Sequence, residues 1–136
     1  MEQLVKYRDV AVSLEKKGYE LKKTHLVRNY VVKCYEVWEK LDESSIVIEV
    51  FKDFKALIYH QEMNGDLTKE SLLNLGYDTL ACYEVLGHPS ESFECLVSKD
   101  NHQVLIQKTN TKTTIYNEQI QDEKIKKQGR NRVEKD

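Results

Sequence analysis

An α+β fold is what this sequence predicts: an antiparallel sheet of six or seven strands with two helices packed on one face. Three observations point there. Two stretches place apolar residues at helical spacing and end in Gly18 and Gly76. The segments around them are rich in β-branched and aromatic residues, broken by turn clusters. Parts of the chain also recur. Cys34-Tyr35-Glu36-Val37 returns downstream as Cys82-Tyr83-Glu84-Val85, and Ser44/Ser92, Leu57/Leu105 and Ile58/Ile106 match at the same spacing. Gly18-Tyr19-Glu20 has its counterpart, at a longer spacing, in Gly76-Tyr77-Asp78. The difference between the two spacings reads as an insertion in the first copy. Such a repeat predicts two pseudo-symmetric helix–strand–strand halves with a groove at their junction.

Leu4, Tyr7, Ala11 and Leu14 mark a first helix over residues 3–17, with Lys16 and Lys17 at its negative end and Gly18 as its stop. A start at Asp9 would leave residues 3–7 as a short strand. From 19 to 62 the pattern is mixed. Val27, Tyr30, Val31, Cys34, Val37, Trp38 and Leu41 fit a helical stripe, yet their types favour strands. The turn cluster Asp42-Glu43-Ser44-Ser45 and the β-branched run Ile46–Phe51 decide for an antiparallel meander continuing into Ala56–Tyr59. Asn64-Gly65-Asp66 breaks the chain, and Thr68 caps a second helix over 69–75. Strands are expected over Thr79–Leu86, Phe93–Val97 and Val104–Gln107, with a short last one within Thr109–Tyr116. Gly87-His88-Pro89-Ser90 reads as a break. From Glu118 apolar residues thin out, and the predicted organisation is one domain over 1–117, with halves 1–62 and 63–117, and a charged tail over 118–136.

Composition narrows the function. The chain has 136 residues, enough to bury roughly two-thirds of its unfolded surface in one core. A net charge of −2 gives no global attraction to nucleic acid or anionic lipid. No apolar run reaches membrane-spanning length, and Met1-Glu2-Gln3-Leu4 lacks the features of a secretory leader. Three cysteines cannot all pair within one chain, so reduced thiols and a cytoplasmic location are expected.

Strand alternation supplies the sharpest site expectation. Val32, Cys34, Glu36 and Trp38 would share one face, as would Leu80, Cys82, Glu84 and Leu86. If both faces point inward, Glu36 and Glu84 meet near the junction beside Trp38 and form a site for a cation, an amine or a small molecule. Glutamate is rarely buried, which favours the plainer reading with Tyr35, Val37, Tyr83 and Val85 inside. Cys82, His88, Cys95 and His102 lack the spacing of a compact zinc site, so no metal and no cofactor are expected. Nothing marks Cys82, beside His88 or His60, as an activated thiol. There is no glycine-rich phosphate loop. Lys124, Lys126, Lys127, Arg130 and Arg132 form a basic run suited to phosphates or an acidic partner, though such runs are more often solvated tails. The functional expectation is a non-catalytic interaction or regulatory protein whose strand edges receive a protein partner. A small-molecule or cation sensor and a nucleic-acid binder using the tail are the alternatives. A homo-oligomer is compatible with all three.

Overall fold

The computed structural model describes residues 4–63 and 66–119. Its element order is β1 (Val5–Lys6), α1 (Tyr7–Lys16), β2 (Glu20–Leu26), β3 (Val32–Glu39), β4 (Ile46–Phe51), β5 (Lys55–Gln61), α2 (Lys69–Asn74), β6 (Asp78–Val85), β7 (His88–Val97), β8 (Gln103–Lys108) and β9 (Thr113–Glu118). The α+β expectation of six or seven strands is overturned. Among the described residues nine strands form one antiparallel sheet, ordered β2-β3-β4-β5-β9-β8-β7-β6 with β1 on β5. It curls into a half-barrel with only two short helices. The first predicted helix loses its opening residues to β1. The polar stretch Glu20–Leu26 becomes a strand because β3 offers it a full ladder of partners.

Why the sheet curls is visible in its burial. β3 and β4 are apolar on both faces, so each must be covered twice. Inside the curl, Tyr35, Val37, Val47, Leu57, Tyr59, Phe93, Cys95, Leu105 and Tyr116 form the main core. Outside, Val10 and Leu14 of α1 cover Cys34, Trp38, Ile46, Ile48, Val50 and Ala56. Leu72 of α2 covers Leu96, Val104, Ile106 and Ile115. The hairpin tips meet where Val27 bridges Val85 and the Leu86 N–H donates to the Leu26 carbonyl at 2.8 Å. This contact draws the two ends of the sheet together.

The strand registers of the first half recur in the second, but at the spacing of the two Gly-Tyr pairs and not that of the Cys-Tyr-Glu-Val match. Lys23 faces Val37, and its counterpart Ala81 faces Cys95. Cys34 faces Val50, and Ser92 faces Lys108. Glu49 faces Leu57, and Gln107 faces Thr114, so the spacing shortens by a single position in the last strand. Even the bulge after Leu21 returns after Thr79. Cys34 therefore corresponds to Ser92, not to Cys82. The tetrads lie on non-equivalent strands, β3 and β6, and the first half does not carry the expected insertion. Each half holds one helix and four long strands in place of the expected helix–strand–strand unit.

Both helices stop in the same way. The Tyr19 N–H bonds the Leu14 carbonyl at 3.0 Å, and the Tyr77 N–H bonds that of Leu72 at 3.1 Å. Gly18 and Gly76 adopt φ of 95° and 99° to allow it. A Cβ at residue 76 would meet nothing within 4 Å, so only backbone strain opposes it. Gly76→Ala is accordingly expected to lower stability by about 1 kcal/mol in denaturant unfolding.

Candidate ligand cleft

Glu36, Glu84 and Trp38 do not assemble into a site. A bulge in β3 between Val32 and Cys34 shifts the alternation. Val32 then joins Tyr35 and Val37 inside the curl, while Cys34 and Trp38 pack outside beneath α1. Glu36 is buried on that outer side. The Tyr7 hydroxyl donates to its carboxylate at 2.9 Å and the Trp38 Nε1–H at 3.0 Å. Burial and the Glu36 charge raise the Tyr7 pKa, which keeps this donor protonated. The carboxylate thus ties the start of α1 to β3. Glu84 is exposed on β6, and the residue that corresponds to Glu36 is Glu94, which pairs with Lys69 at 2.9 Å. Glu36→Ala, by stranding two donors, is expected to cost about 2–3 kcal/mol of stability by urea titration.

The cysteines are equally dispersed. Cys82 is exposed, whereas Cys34 and Cys95 are buried. Burial and neighbouring glutamates raise the Cys34 and Cys95 thiol pKa values, which opposes thiolate formation. Among the described residues no three His, Cys, Asp or Glu side chains converge as a metal site. No helix among them is long and apolar enough to cross a membrane. Lys124, Lys126, Lys127, Arg130 and Arg132 lie outside the described residues, as do Asn64 and Gly65 of the predicted break.

A different set of residues converges at one mouth of the half-barrel. β2 contributes Lys22, Lys23 and His25, and β3 contributes Val37 and Glu39. Gln61, Glu91, Gln107, Lys112 and Tyr116 complete the charged and amide-bearing lining of a cleft of about 320 Å³. Both halves of the chain supply walls. Lys22 is partly neutralised by Glu20 at 3.1 Å, an exposed pair of little energetic weight. Tyr116 donates to Gln107 Oε1 at 3.1 Å, and burial pushes its pKa up to about 12.

His25 and Glu91 are the unusual members. His25 is only 4% exposed and packs edge-on against Phe93 with ring centroids 5.3 Å apart. Burial, then the Lys23 charge, lowers its pKa, with Glu91 opposing them; the ring is neutral near pH 7. Glu91 has a buried Oε1 that accepts no hydrogen bond from the described residues. A carboxylate oxygen withdrawn from solvent and left without a donor costs free energy on the order of 1–3 kcal/mol.

The repeat supplies an internal comparison for this cleft. At the opposite end of the concave face, Tyr83, Phe51 and Leu57 occupy the positions that His25, Thr109 and Thr114 hold here. Tyr83 and Phe51 pack against the inner core, and Leu57 belongs to it. One end of the same architecture is therefore packed shut, with the hydrogen-bonded Glu49 carboxylate buried among apolar side chains, and the other is polar and open. The fold itself does not demand the opening.

No protein-family model matches the chain, and comparisons with curated proteins and with solved structures find no match. Sequence reasoning missed His25, Glu91 and Gln107 because it aligned the halves on the Cys-Tyr-Glu-Val match. The longer spacing between Gly18-Tyr19 and Gly76-Tyr77 carried the correct alignment.

Proposed function

We propose that this protein is a non-catalytic binding protein whose cleft takes a small polar solute bearing both an N–H cation and an anionic group. The observation that carries this reading is the contrast between the two ends of the concave face, one packed and one open. The lining then suggests the ligand class. Glu91 Oε1 needs a donor, and Glu39 adds a second negative wall. Lys23 and Lys112 offer charge to an anion, and the amides of Gln61 and Gln107 can serve either end. A free amino acid or a short peptide has that distribution of groups, and its apolar part would meet Val37 and the Tyr116 ring.

Calorimetry and thermal-shift measurements with a panel of amino acids and di- and tripeptides test the reading. At least one compound is expected to bind with micromolar to millimolar affinity. Glu91→Gln and Lys23→Gln should each weaken it about tenfold, or about 1.4 kcal/mol. Glu36→Gln, remote from the cleft, should leave affinity unchanged. If no compound shifts the melting temperature at millimolar concentration, or if the two cleft variants bind as tightly as the parent, the reading is wrong.

A further inference from the structure

The turn that joins β4 to β5 displays an aromatic ring where glycine or asparagine would fit better. Phe54 has a φ of 63° and is 59% exposed. Cations surround it. Lys33, at the bulge of β3, holds its Nζ 4.8 Å from the ring centroid. Lys52 belongs to the same turn, its N–H bonded to the Val31 carbonyl at 2.9 Å. Lys6 and Lys55 stand opposite each other where β1 pairs with β5. Together with Tyr7, Arg8, Asp53 and Phe54, those two lysines line an open hollow of about 420 Å³. Asp53 is the acid of that lining, and its Oδ1 accepts from the Lys55 N–H at 3.2 Å. Lys6, Arg8, Lys33, Lys52 and Lys55 are all exposed, and among the described residues none of them forms an ion pair.

Each of these features works against folding. Like charges directly opposite weaken a strand pair, and an exposed phenylalanine gains nothing from burial. The second half shows that the architecture does not require them. Arg8 corresponds there to Asp66 and Lys33 to Glu91, while Lys55 keeps its charge as Lys112. The corresponding hairpin loop, Thr109-Asn110-Thr111-Lys112, holds no ring. We infer that this face binds single-stranded nucleic acid, its phosphates held by Lys6, Arg8, Lys33, Lys52 and Lys55 and a base stacked on Phe54. Charge selects a polyanion. At about 0.1 M salt, charges beyond about 10 Å are largely screened, so the local cluster outweighs the net charge of −2. The ring then selects among polyanions, because every base offers a π-face and an acidic peptide or a polyphosphate offers none. A membrane fits less well, since one ring buries little apolar area and stable anchoring takes more. The inference is independent of what the cleft binds.

Fluorescence anisotropy of a labelled oligothymidylate of about twelve nucleotides, titrated with the full chain, tests it. A dissociation constant of about 10 µM is expected at about 50 mM salt. The logarithm of affinity should fall against the logarithm of salt with a slope of about −3, the mark of about four phosphate contacts on a single strand. Phe54→Asn separates recognition from folding, because asparagine tolerates the turn conformation. Its melting temperature should hold or rise while the dissociation constant rises about tenfold. Lys33→Gln and Lys55→Gln should each weaken binding about threefold and flatten the salt slope by about 0.7. Lys99→Gln, outside the patch, should do neither. No binding at about 100 µM protein in low salt would overturn the proposal. So would binding indifferent to Phe54→Asn and to both lysine variants, which would place it on the basic run Lys124–Arg132. Capture on phosphatidylserine vesicles without oligonucleotide binding would also overturn it, in favour of a membrane partner.

Discussion

Replacing Glu49 by alanine is expected to cost about 3–5 kcal/mol of folding stability, a large share of what a domain this size possesses. The residue sits inside the curl, 4% exposed. The Tyr35 hydroxyl donates to its carboxylate at 2.7 Å and the Tyr59 hydroxyl at 3.2 Å, with the Cys95 thiol at 3.7 Å. Alanine would leave these donors buried beside a void, combining a desolvation penalty with a cavity penalty. Glutamine keeps the volume and one carbonyl acceptor, so Glu49→Gln should lose less, about 1–2 kcal/mol. Urea unfolding of both variants, followed by circular dichroism, gives the comparison. Equal stability of the alanine variant and the parent would mean that the inner core does not depend on this carboxylate.

The same cluster accounts for the unlike ends of the concave face. Gln107 holds in the second half the position of Glu49 in the first, and Tyr116 that of Tyr59. In the first half the carboxylate gathers Tyr35, Tyr59 and Cys95, and Tyr59 also lies 3.1 Å from Gln103. Donors from both halves are consumed there, and the space closes. In the second half Gln107 receives the Tyr116 hydroxyl, and the polar cleft opens beside it. Between the two ends, Tyr35 and Phe93 stack with centroids 4.1 Å apart and planes within 8°. Such a pair contributes about 1 kcal/mol beyond its buried area and locks the halves together.

How far these features can be read from sequence depends on whether they are local. The α2 cap is local: Thr68 accepts from the Ser71 N–H and Ser71 bonds back, so the helix start follows from two residues. The β-branched run Ile46–Phe51 likewise announces its strand. The two Cys-Tyr-Glu-Val stretches look identical but differ in burial because their strands differ in neighbours. β3 lies between β2 and β4, whereas among the described residues β6 has a ladder with β7 alone and only the Val27–Val85 bridge on its other side. Four residues carry no record of that. Strand alternation holds from Cys34 to Trp38, with Tyr35 and Val37 inside, and breaks only at the β3 bulge, where one extra residue, Lys33, puts Val32 on the concave face with them. The cleft was illegible for the same reason: His25, Glu91 and Gln107 come from three strands, and only the alignment set by the Gly-Tyr pairs matches His25 and Gln107 with their packed counterparts, Tyr83 and Glu49.

Alkali should unfold this protein cooperatively, with the loss of stability beginning near pH 10. Burial, reinforced by the Glu49 charge, raises the pKa of Tyr35 and Tyr59 well above the ordinary tyrosine value of 10.0. The sign follows from proton linkage. Below about pH 10 both rings are protonated in the folded and unfolded chains alike, and their stabilising contribution is fully present. Above that, the unfolded chain releases protons that the folded one retains. Each ring then weakens folding by about 1.4 kcal/mol per pH unit, so the two together remove several kcal/mol by about pH 12. Tyr7 and Tyr116, also raised by burial, add to the slope. Tyrosinate absorbance in the near ultraviolet and far-ultraviolet ellipticity, followed in one titration, are expected to change together over a narrow interval above pH 10. If all eight tyrosines ionised gradually around pH 10 while ellipticity stayed native through about pH 12, the hydroxyls of the inner core would have to be open to solvent. That outcome would also remove the physical basis of the Glu49 expectation, since the same donors supply both.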